Sequence, residues 1–111
     1  MNSNQRKKLE QMSGQKKHVN FKNKDGSGYT NIGIVDDEVY IMVGDYKHMI
    51  QKIRFNAGKS WDSSIFGYRT CYYTYDKDIK NIKCGQFAQF LTQIEYKKLL
   101  QLAKEKGWEV F

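Results

Sequence analysis

Proline is absent from this chain and arginine is scarce, with three arginines against sixteen lysines. Together with frequent Asn, Ile and Tyr, that bias argues against a GC-rich source. It points instead to a low-GC bacterium, its phage or a mobile element. Only two cysteines occur, Cys71 and Cys84, and with His18 and His48 they make a potential set of four zinc ligands. No pair has the short Cys-x₂₋₄-Cys spacing that preorganises such ligands, so no metal and no cofactor are expected. No run approaches the roughly 20 apolar residues needed to cross a bilayer. The polar N-terminus predicts no secretory signal either. The expectation is a cytoplasmic protein with reduced thiols and no membrane partner.

Acidic side chains are few at the N-terminus, where Arg6, Lys7, Lys8, Lys16, Lys17, Lys22 and Lys24 face only Glu10 and Asp25. Residues 1–28 thus carry +5 of the formal +7, and the remaining 83 residues are nearly balanced. A lysine-rich end can serve solubility alone. A cationic segment with few apolar residues also suits a polyanion and commonly orders on its partner. Ser3 can start a short helix reaching Gln11 or Met12, but Leu9 and Met12 give it little to bury. Residues 1–18 are therefore read as a flexible basic arm and residues 19–111 as a single small domain.

The fold expected is α+β: a twisted antiparallel sheet of four to six strands with one C-terminal helix packed on it. A first strand forms around Val19 and Phe21. Tyr29 to Val43 reads as a hairpin turning at Asp36-Asp37, with Val39, Ile41 and Val43 alternating on the return. Residues 50–55 make another strand, and a loop rich in Gly, Ser and Asp follows from Asn56 to Gly67. Tyr68–Tyr75 is the strongest strand, because β-branched and aromatic residues fill it. It turns at Asp76-Lys77-Asp78 to pair with Gly85–Leu91. Thr92 and Glu95 form a capping box for the last helix, whose Tyr96, Leu99, Leu100 and Ala103 fall on one stripe. Gly107 is its C′ residue, and Trp108, Val110 and Phe111 should pack back.

Motifs for catalysis are weak. Gly58-Lys59-Ser60 resembles the end of a P-loop, but Ile53 occupies the position of the required first glycine. Asp45-Tyr46-Lys47, Asp78-Ile79-Lys80 and Glu95-Tyr96-Lys97 are acid-x-lysine fragments of the kind a metal-dependent nuclease uses. Such cleavage needs at least two carboxylates on one ion, which spacing alone does not supply. An enzyme is thus the least favoured class, and no catalytic residue is assigned.

The stronger signal is aromatic residues interleaved with basic ones. Arg69, Tyr73 and Lys77 lie on a tyrosine-rich strand and its turn, Lys59 and Trp61 precede it, and bases stack on exposed rings for about 1–3 kcal/mol each. Both faces of that strand carry rings and both cannot be core, so the rings divide between core packing and an exposed binding platform. The function expected is a small accessory protein that binds nucleic acid, DNA or RNA. It would act through Arg6, Lys7, Lys8, Lys16, Lys17, Lys22, Lys24, Lys59, Trp61, Arg69, Tyr73 and Lys77. The alternative is a protein-binding inhibitor of a host enzyme or defence complex, anchored by Trp61, Ile65 and Phe66.

Overall fold

A computed structural model of the chain describes residues 2–74, 90–108 and 110. Two helices and four strands follow in the order α1 (Ser3–Gln11), β1 (His18–Lys22), β2 (Tyr29–Val43), β3 (Tyr46–Phe55), β4 (Phe66–Thr74) and α2 (Gln93–Glu105). The strands form one antiparallel sheet in chain order, β1-β2-β3-β4, so the class is α+β as expected. The turn at Asp76–Asp78 and residues 85–89 of the anticipated partner strand lie outside the described residues. Of that strand only Phe90 and Leu91 are described, and neither is in a strand. Among the described residues no helix is long and apolar enough to cross a membrane.

Two compact units share these strands. The first comprises Met1–Ser13, Val39–Ile50 and Thr70–Phe111; the second comprises Gly14–Glu38 and Gln51–Arg69. No linker separates them, because β2 and β3 each run from one into the other.

In the first unit the short N-terminal helix forms despite its poor apolar content, and its cap and tertiary contacts explain why. Asn2, not Ser3, is the N-cap; its side chain accepts from the Gln5 amide while the Gln5 side chain accepts from the Asn2 amide. Leu9 is completely buried against Met49, Cys71 and Tyr73, with Met12 and Met42 beside it. Lys47, itself 2% exposed, donates its ammonium to the carbonyls of Glu10, at 2.6 Å, and Met12. Those carbonyls are the orphan acceptors at the negative end of a helix, where a cation is favoured. Finally, the Tyr40 hydroxyl donates to Glu10 and the Arg6 guanidinium to the Gly44 carbonyl. The segment read as a loose arm thus contributes a core residue.

Helix α2 starts at the expected capping box, with Thr92 and Glu95 exchanging side-chain and backbone bonds. Leu99 and Ala103 are buried, but Tyr96 and Leu100 lie at the boundary with solvent, so the buried stripe is narrower than the spacing predicts. Gly107 takes the positive φ that ends such a helix, and Trp108 is buried. Ile41 and Met42 are neighbours in β2 and so point to opposite faces. Met42 packs by Leu9, whereas Ile41 borders a groove along α2, placing the two helices on opposite faces of these strands.

The second unit corrects the anticipated hairpin. Residues 29–43 are one continuous strand, and the reversal comes after it, at Gly44-Asp45. Gly33, Val35 and Val39 remain buried at alternate positions straight through the aspartate pair. The carboxylates serve side chains instead: Asp37 accepts from Gln15 and from the Glu38 amide. Glu38 accepts from the Gly14 amide and from Gln51, which in turn accepts from Arg69 Nε at 2.8 Å. This chain of bonds satisfies the fully buried Gln51.

Pairing of β1 with β2 skips Ile32: Val19 faces Gly33, and Asn20 faces Asn31. The extra residue is a β-bulge, which turns Ile32 toward the core of Val19, Val35 and Ile53. The Asn31 amide fills the gap, donating to the Val19 and Gly33 carbonyls at 3.2 and 3.1 Å. Gly33 is obligatory here, since a Cβ on it would lie 2.1 Å from the Arg54 carbonyl oxygen.

Candidate nucleic-acid interface

Antiparallel connectivity sends the β1–β2 turn (residues 23–28) and the β3–β4 loop (residues 56–65) to the same end of the second unit. Asn56, the first residue of the loop, is tied to β2 near its start. Its amide nitrogen donates to the Ile32 carbonyl at 2.8 Å, and its side chain donates to Asn31 Oδ1 at 2.7 Å. Lys22 at the end of β1, Lys24 in the turn, and Lys59 and Trp61 in the loop, all exposed, therefore belong to one end.

Both connections are held by their own short-range bonds. In the turn, Asn23 and Gly28 close through a backbone bond of 2.8 Å, and Gly26 and Gly28 supply the positive φ it needs. In the loop, the Phe55 amide meets the Ile65 carbonyl at 2.8 Å, and Ser60 Oγ donates to the Ser64 carbonyl at 2.8 Å. Each also contains an Asp whose carboxylate accepts from the amide two residues on, Asp25 from Ser27 and Asp62 from Ser64. Bonding to the serine hydroxyl first, and to its amide second, holds both carboxyls below the ordinary aspartate value. They are ionised at neutral pH and turned onto their own loops, while the three lysines are free of such local ties.

Trp61 is 92% exposed and Tyr29 is 71% exposed. Tyr29 stands directly opposite Lys22 in the strand register, so ring and ammonium share a face. The sequence singled out Trp61 but missed Tyr29, whose role depends on a register that only the bulge sets.

Other anticipated contact residues are placed elsewhere. Tyr73 is 4% exposed in the Leu9 cluster, so the face of β4 bearing Cys71 and Tyr73 is core and Tyr73 is not available to a ligand. Arg69 is half-buried with its Nε committed to Gln51. Lys16 and Lys17 are exposed at the opposite end of β1, beside Val35. Arg6, Lys7 and Lys8 are exposed on α1 in the first unit. Lys77 lies outside the described residues.

Two further features bear on chemistry. Tyr46, His48 and Tyr72 form a three-ring cluster with centroids 5.6–6.0 Å apart, and burial holds the His48 imidazole below its ordinary value, opposed by the Glu95 charge. A groove of about 700 Å³ runs along α2, lined by Ile41, Leu100 and Leu102 with Lys97, Lys98 and Lys104. Among the described residues no three His, Cys, Asp or Glu side chains converge as metal ligands would. The Lys59 loop is a simple turn on Asn56, and the element directly after it is strand β4, not a helix. No protein-family model, curated protein or solved structure matches this chain.

Proposed function

We propose that this is a nucleic-acid-binding accessory protein whose interface is the loop end of the second unit. The observation that carries the reading is the antiparallel strand order, by which the exposed Lys22, Lys24, Lys59, Trp61 and Tyr29 share one end of the unit. Lysines there neutralise phosphates, and the two rings add contact area that phosphate binding alone does not use. Release of counterions makes such binding salt-dependent, with a slope of about −0.9 per phosphate on duplex and −0.7 on single strands. Changing Lys22, Lys24 and Lys59 together to Gln should flatten log affinity against log salt by roughly 2–3 units. An unchanged slope would move the interface off this end. The exposed Arg6, Lys7 and Lys8 are a separate positive stretch, and the same substitutions on α1 measure their share.

A second reading is favoured by the exposure of Trp61 and Ile65 in one bond-closed loop. Such apolar anchors also suit a protein interface, as in an inhibitor of a host enzyme or defence complex. Stoichiometric retention of one host protein after nuclease treatment, abolished by Trp61→Ala, would favour it.

A further inference from the structure

We infer that the nucleic acid taken by this end is single-stranded, held by bases stacking on Trp61 and Tyr29 while Lys59 and Lys22 meet the adjoining phosphates. This deepens the nucleic-acid reading and rests on it.

Three observations lead there. First, Trp61 and Tyr29 offer ring faces, and base faces are accessible only when a strand is unpaired. A duplex shows base edges and phosphates, against which a projecting indole gains little. Second, the Asn31 amide, which could read a base edge, is already engaged within the fold. Asn31 donates to Val19, Gly33 and Asn20 and accepts from Asn56, and Asn20 accepts from Asn31. Arg54, the arginine on this stretch of β3, lies over the Phe66 ring. The exposed planes and point charges are the sequence-tolerant equipment of a single-strand binder. Third, each ring has a lysine beside it: Lys22 is the cross-strand partner of Tyr29, and Lys59 lies two residues before Trp61. Because the Trp61 loop is closed by its own bonds, presenting the ring requires little ordering on binding.

The register also supplies a control. Phe21 is exposed, but it neighbours Lys22 along β1 and so points to the other face from Tyr29.

The chain has two tryptophans, and Trp108 is buried, so intrinsic fluorescence changes on ligand contact report Trp61. Full-length protein is titrated in low salt with an oligo-dT and with a mixed-sequence duplex of equal length. The expected result is strong quenching by oligo-dT and little by duplex. Trp61→Ala should weaken oligo-dT binding roughly 5- to 150-fold, the loss of one stacked base. Trp61→Phe should retain most of the affinity, Tyr29→Ala should also weaken it, and Phe21→Ala should leave it unchanged. Equal affinity for both ligands with unaltered Trp61 emission would overturn the single-strand inference and leave the basic interface standing. No binding of either ligand would overturn both.

Discussion

Substituting Gly33 by alanine tests the junction at which the loop of the proposed interface starts. The added Cβ would lie 2.1 Å from the Arg54 carbonyl oxygen and 2.9 Å from its carbon, where ordinary contact begins at 3.4 Å. The opposing atoms are backbone, so no side chain can swing aside. Relief requires β2 and β3 to part locally by about 1.3 Å. A displacement of that size would break the 2.8 Å bond from the Asn56 amide to the Ile32 carbonyl and strain the Asn31–Asn56 bond beside it. Leaving one or two such groups unsatisfied costs about 1–3 kcal/mol each. Gly33→Ala should therefore lower unfolding free energy by roughly 2–5 kcal/mol, from within the usual range for overpacking to beyond it. Urea denaturation followed by circular dichroism gives the number through a shifted midpoint at constant slope. If the variant loses under about 0.5 kcal/mol, within the range of an innocuous surface change, the close approach and the bulge geometry behind it are refuted. On the proposed reading, any affinity for nucleic acid should weaken in step, because the loop bearing Lys59 starts at Asn56.

Leu9→Ala should cost about 2–5 kcal/mol if α1 unfolds with the rest of the chain. If α1 instead separates alone, global stability should fall less while its amides lose hydrogen-exchange protection, and unchanged protection with unchanged stability would contradict the burial of Leu9. His48 gives a pH signature. Burial lowers its folded-state value below the ordinary 6.5, so the unfolded chain takes up more protons as pH falls. Its contribution is complete above about pH 6.5 and is lost as pH drops toward the lowered value. His48→Gln should remove that component of acid destabilisation, and parallel stability curves for the two proteins would argue against it. Thr92→Ala should remove one half of the α2 capping box for about 0.5–2 kcal/mol, read from the denaturation midpoint.

The C-terminal helix was legible because its signals are local: Thr92, Glu95 and Gly107 act within one turn of their own positions. The Asp36-Asp37 pair misled for the opposite reason. Its composition is that of a turn, but Gln15 and the Glu38 amide give Asp37 other partners, and Glu38 is bound by the distant Gly14 and Gln51. Which face of β4 is core could not be read from a strand with rings on both sides. Leu9, more than 60 positions earlier in the chain, settles it by burying Cys71 and Tyr73. Within the candidate interface, lysines and Trp61 were visible by type. Their sharing one end was not, because it depends on residues 29–43 running as a single strand with no reversal at Asp36-Asp37.

Lys47 has a practical consequence for watching this protein in solution. Among the described lysines it alone is sealed from solvent, with its amine spent on the last carbonyls of α1. Acylating reagents should therefore label the surface amines quickly and Lys47 only when the N-terminal helix lifts away. Mass spectrometry of that single peptide then becomes a clock for helix release, running in the same sample as protection of Lys22, Lys24 and Lys59 by a bound ligand.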